Sequence, residues 1–103
     1  MFAVLYRFRL KPGTEARFAQ AWEAVTHALR DQHGGEGSCL HRGDDGLWVA
    51  YARWPSREAW AAEHPLDDPS HLEAMAACVE ERLAPIPLEV ARDLLVGRAR
   101  GGG

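Results

Sequence analysis

The chain has 103 residues, of which 47% are hydrophobic and 26% charged, the balance of one soluble globular domain and not of a disordered segment. Twelve basic residues against fifteen acidic ones leave a formal charge of −3, which argues against nucleic acid or an anionic membrane as the main partner. The apolar runs are strand-length, so no membrane span is expected, and Cys39 and Cys78 lack metal-ligand spacing and read as free thiols in a reducing cytoplasm.

Phe2 to Leu10 alternates, with Phe2, Val4, Tyr6, Phe8 and Leu10 on one face and Ala3, Leu5, Arg7 and Arg9 on the other. That period of two predicts a strand. Lys11-Pro12-Gly13 is a turn, and Thr14 is placed to cap a helix whose first turn holds Glu15, an anion where the dipole favours one. Phe18, Trp22, Val25 and Leu29 recur at four, three and four residues, the stripe of one helical face, and Gly34 is placed as its left-handed stop. Gly34-Gly35-Glu36-Gly37 has no strand-turn-helix context and reads as a helix stop plus linker, not a phosphate loop.

A short strand is expected over Ser38–Arg42, then a reversal at Asp44-Asp45-Gly46 and a returning strand over Leu47–Trp54. Pro55-Ser56 opens a short helix to about Glu63, and His64 to Pro69 is irregular because Pro65 and Pro69 each remove a donor and push the preceding residue toward extended backbone. A second helical stretch is predicted from Ser70, with Glu73 able to complete a capping box and Leu72, Met75, Ala76, Val79 and Leu83 as its buried stripe. Pro85 and Pro87 end it, and Leu88–Val96 is expected as the last strand. Residues 1–97 then form the domain, and the tail 98–103, Arg-Ala-Arg-Gly-Gly-Gly, is expected to fray.

The order β-α-β-β-α-β predicts an α+β, ferredoxin-like fold, a four-stranded antiparallel sheet with both helices on one face. The other face carries Leu5, Val49 and Tyr51 beside Arg7 and Arg9, too apolar in part to face water, so a homodimer through this open face is expected. In the last strand Arg92 shares the parity of Leu88, Val90, Leu94 and Val96, which predicts that it faces the helices. An arginine there needs a carboxylate, a carbonyl or a bound anion. Glu89 and Asp93, on the opposite parity, could meet Arg7, Arg9 or Arg53 across the open face. His27 and His33 are six apart in or just after the first helix, a spacing that predicts surface positions.

The pieces YRFRLKPGTEARFAQAW, GSCLHRGDDGLWVAYARWPSREAW and DPSHLEAM resemble the antibiotic biosynthesis monooxygenase family of small dimeric α+β barrels, over residues 2 to about 96. The resemblance implies a homodimer with a cavity between sheet and helices in each subunit. Family members that degrade haem use an Asn, a Trp and a His at positions corresponding to Tyr6, roughly Glu63 and roughly Ala76 here, so no haem or other cofactor is expected. The family's quinol oxygenases combine Asn, Trp, Tyr and Arg. Trp60, Tyr6 and Arg92 supply part of that set, and the chain contains no Asn.

On this reading the cavity lies beside the broken second helix, with Tyr6, Trp54, Trp60, His64, His71 and Arg92 around it. Tyr6 either is satisfied within the structure or orients a substrate oxygen. His64 and His71 either cover the loop or move a proton, since imidazole titrates near neutrality. Trp54 and Trp60 either pack the core or form an aromatic wall for a small aromatic or quinone-like ligand, and Arg92 either forms an ion pair or holds a developing oxyanion. A metal site from His64, His71 and Glu63 lacks a defined spacing and is not expected. Two functions follow. One is a cofactor-independent monooxygenase acting on a quinol or electron-rich aromatic, and the other a non-catalytic small-molecule-binding or regulatory dimer on the same scaffold.

Overall fold

Alternation at the start of the chain makes β1 (Phe2–Leu10) the centre of the sheet. The computed structural model describes residues 1–95. After β1 come α1 (Glu15–His33), β2 (Ser38–Arg42), β3 (Trp48–Trp54), α2 (Arg57–Ala61), α3 (Ser70–Cys78), β4 (Val79–Arg82) and β5 (Ile86–Glu89). Antiparallel β3 takes one edge of β1, from Phe2 opposite Trp54 to Phe8 opposite Trp48, and β2 takes the outer edge of β3. The second edge of β1 is shared end to end. β4 pairs with Phe8–Leu10 and β5 with Phe2–Leu5. The result is the α+β, ferredoxin-like arrangement, with α1 packed beside α3 over one face.

The chemistry of each segment explains its state. Phe2, Val4, Phe8 and Leu10 are buried beneath the helices, with Phe18 and Val25 of α1 pressing down on them. One cluster gathers Phe8, Leu10, Phe18, Ala50 and Cys78, and a second gathers Phe2, Val4 and Trp54. Trp22 and Trp48 pack against the first, as their spacing predicts. Gly34 closes α1 at φ 75°, and the amide of Gly35 reaches back to the Leu29 carbonyl at 3.1 Å. A side chain at that φ would crowd the backbone, which is why glycine ends the helix.

Several expectations are corrected. Thr14 stands at the helix start, but its hydroxyl donates back to the Lys11 carbonyl at 2.7 Å and caps nothing in α1. α2 stops at Ala61, short of Glu63, after Ser56 Oγ accepts the Ala59 amide at 3.0 Å. No capping box forms at Ser70. Pro69 occupies the cap position, and the Asp68 carboxylate accepts the Ser70 amide at 3.0 Å. α3 ends at Cys78, so Val79 and Leu83 belong to the sheet edge and not to a helical stripe. Pro85 and Pro87 do not end a helix. They interrupt and occupy an edge strand, where a missing N–H costs least.

The last strand runs Ile86–Glu89 rather than Leu88–Val96, and Leu88 opposite Ala3 faces the open side. Glu89, opposite Phe2, lies instead on the helix side, 3.9 Å from Arg57. Val96, the 97/98 domain boundary and the expected tail lie outside the described residues.

One irregularity matters below. Arg9 pairs with Glu81 and Leu10 with Val79, so Glu80 is an extra residue, a β-bulge in β4. It allows Val79 and Arg82, three residues apart, to face the same helix-covered side, which an unbroken alternation forbids.

Candidate functional site

A cavity of about 150 Å³ lies between the sheet and the helices. Its floor is β1 and β3, where Ala50 and Ala52 keep the sheet surface low between Tyr6 and Trp54. Trp22, Val25, Thr26 and Leu29 of α1 form the roof with Met75 of α3, and Ser38 of β2 closes one edge. Arg82, exposed on β4, stands at the opposite edge. These walls are mostly hydrocarbon, so a bound aromatic ring would lose water on both faces.

The polar groups are few. Trp60 Nε1–H donates to Tyr6 Oη at 2.9 Å. Because the indole can only donate, the phenol oxygen accepts there and its own proton remains available to a ligand. Burial pushes the Tyr6 phenol above its ordinary value, opposed by the Trp60 hydrogen bond and the Arg82 charge. Tyr6 is therefore a neutral donor throughout the physiological range. Arg82 forms no salt bridge or side-chain hydrogen bond among the described residues, whereas Arg9, Arg53 and Arg57 each have a carboxylate within 4 Å. A cation beside a phenol O–H in an apolar slot can stabilise an anionic oxygen.

The structure brings only part of the expected set together. Tyr6 and Trp54 line the cavity, and Trp60 reaches it through Tyr6. His64 stacks on Trp54, with ring centroids 4.6 Å apart, and its Nε2–H donates to the Ala59 carbonyl at 2.8 Å. It is not among the residues that line the cavity. His71 is exposed on the first turn of α3. Arg92 lies past β5 on the open face, where it borders a shallow depression with Leu5, Cys39, His41 and Tyr51 and donates to its neighbour Ala91. Its expected helix-facing position fails because the strand ends at Glu89 with the opposite parity.

Arg82 is a residue that sequence reasoning misses. Only the stop of α3 at Cys78 and the bulge place it at the cavity, and the run Val-Glu-Glu-Arg carries no periodic signal for either. Thr26 and Ser38 escape it as well. His33, expected on the surface, is half-buried. Its Nε2–H donates to the Pro65 carbonyl at 2.6 Å and its ring meets His64 edge-on at 5.2 Å, holding the irregular loop against α1. His27 is exposed and accepts from Arg30.

The model of the antibiotic biosynthesis monooxygenase family matches residues 1–77. Among solved structures the chain is similar to Rv0793 from Mycobacterium tuberculosis, at 20% identity and a TM-score of 0.67, with 91% of this chain and 98% of that one covered. It is also similar to SnoaB, a cofactor-independent oxygenase from Streptomyces nogalater, at 21% identity and a TM-score of 0.71, with 90% and 95% covered. Identities this low establish the shared fold alone. No curated protein matches the sequence.

Proposed function

This chain belongs to the antibiotic biosynthesis monooxygenase family, and from that premise we propose that it is a cofactor-independent monooxygenase acting on a quinol-like, electron-rich aromatic held in the helix-side cavity. The observation that carries this reading is the pairing, in one apolar slot, of a neutral phenol donor at Tyr6 with an uncompensated cation at Arg82. The similarity to SnoaB, a cofactor-independent oxygenase, supports the same class of chemistry.

In such chemistry the substrate supplies the electrons. An acidic ring carbon or phenol loses a proton to the solvent at the cavity mouth, and Arg82 and Tyr6 O–H hold the resulting oxyanion. The electron-rich anion then reduces dioxygen directly. For a ring methylene the products are a ring ketone and water. Both C–H bonds break and a C=O bond forms, so the carbon gives up four electrons and dioxygen takes them. One oxygen atom stays on the ring, and the other leaves as water with the two hydrogens. The protein's part is to orient the ring against Trp54, exclude bulk water and stabilise negative charge. Trp60 acts through Tyr6, whose hydroxyl it orients.

The open face supports a homodimer. Leu5, Val49, Tyr51, Ile86 and Leu88 are grouped there by register, and Arg7 Nε is buried without a partner. A second subunit would cover the former and supply an acceptor to the latter.

Oxygen uptake with a panel of naphthoquinols and anthrones tests the reading. Turnover is expected, and Arg82→Gln should lower it about tenfold, less than the roughly 100-fold worth of a fully water-excluded donor because Arg82 is exposed and screened by solvent. Binding of the panel without oxygen uptake would instead assign the chain to non-catalytic small-molecule binding on the same scaffold.

A further inference from the structure

We propose that the edge of the cavity opposite Arg82 is a second anchoring site, in which the hydroxyls of Ser38 and Thr26 hold an oxygen at the far end of the ligand. The cavity then selects elongated aromatic acids with oxygen at both ends. This rests on the reading that the cavity takes an aromatic ligand and extends it to that ligand's length and functional groups.

Two observations support it. Ser38 pairs with Ala52, so its side chain shares the helix-covered side of the sheet, and Thr26 comes down from α1 next to Val25. Both are half-buried in the cavity wall. The hydroxyls of Thr14 and Ser56 are used where helices begin, whereas those of Ser38 and Thr26 have no side-chain hydrogen-bond partner among the described residues. Neither hydroxyl is a fully buried atom lacking a partner, so water reaches both at the cavity wall, and a ligand oxygen placed there can take that water's place.

The spacing sets the ligand's length. β3 stands between β1 and β2, and Tyr6 faces Ala50 while Ser38 faces Ala52, so their backbones are two strands and two residues apart, about 12 Å in all. The surface between them is Ala50 and Ala52, low enough for fused rings to lie across it. A carboxylate or acidic phenol at Arg82 and Tyr6 then directs the other end of two or three fused rings to Ser38 and Thr26.

The test uses 2-naphthoate, with an acid at one end, and 6-hydroxy-2-naphthoate, with an acid and a hydroxyl at opposite ends, titrated calorimetrically without oxygen. The wild type should bind the hydroxy acid about three- to tenfold more tightly, the worth of one or two neutral hydrogen bonds. Thr26→Val with Ser38→Ala should bring the two affinities within twofold, and Arg82→Gln should weaken both probes alike. Equal binding of the two probes by the wild type, or a preference that survives the double variant, overturns the second anchor and leaves the aromatic-binding reading intact. Binding of neither probe overturns both. The wild-type comparison alone decides the matter if the double variant fails to fold.

Discussion

The hydrogen bond between Trp60 and Tyr6 can be isolated by a double-mutant cycle of Trp60→Phe and Tyr6→Phe. The bond is 2.9 Å long and partly buried, so it should contribute about 1 kcal/mol net. Trp60→Phe also trims the ring that packs against Phe2 at 5.6 Å, a loss of about 1 kcal/mol in apolar contact. The single variant should therefore be destabilised by about 2 kcal/mol, roughly a 10 °C fall in Tm for a domain of this size. The coupling energy across the cycle should be about 1 kcal/mol. Urea unfolding at one protomer concentration is the assay, since self-association adds to apparent stability. A coupling within about 0.3 kcal/mol of zero refutes the bond's role, because independent sites add to that accuracy. Ultraviolet titration gives a second reading. The Trp60 bond lowers the Tyr6 pKa, so Trp60→Phe should raise it further, and an unchanged phenol midpoint refutes the same reasoning.

Burial raises the Tyr6 pKa, so the fold favours the neutral phenol; this stabilisation is complete below about pH 10 and lost as pH climbs through the raised value. Wild type should thus lose more stability than Tyr6→Phe above about pH 10, and identical alkaline unfolding curves would sink the argument. Gly34→Ala forces a side chain into φ 75° and should cost about 1 kcal/mol by thermal unfolding; an unchanged Tm would show that α1 ends without strain. The proposed dimer should sediment as such in the wild type and as a monomer once Leu5→Asp is placed on the open face; a variant dimer that persists would place the contact elsewhere.

Legibility in the sequence follows the reach of each signal. β1, α1 and β2 lie where alternation, the Phe18–Trp22–Val25–Leu29 stripe and Gly34 place them, because those cues are local and strong. The stretch after Cys78 departs from its periodicity for a physical reason. Met75, Val79 and Leu83 are spaced as on one helical face, yet Val79 and Leu83 are spent on the edge of β1. Tertiary pairing overrides that spacing, as it readily does for a four-residue strand. The same override moves the expected arginine from Arg92 to Arg82. Tyr6, Trp54 and Trp60 are legible because aromatic positions on a strand and at a capped helix carry parity information. His64 is near the site, but its ring lies behind Trp54.

The extra residue in β4 has a consequence for chemical selectivity. Val79 is held inward by its packing against the core cluster. Were the strand to alternate regularly from there, Glu81 would turn inward and Arg82 outward. That edge of the cavity would then present a carboxylate in place of a guanidinium, and the acidic ligands proposed above would be repelled. The inserted Glu80 reverses that outcome without any change in the charged side chains on either side of it. Here the sign of the charge at the cavity edge is written in backbone count, and a slip of one residue in this strand would exchange a guanidinium for a carboxylate there.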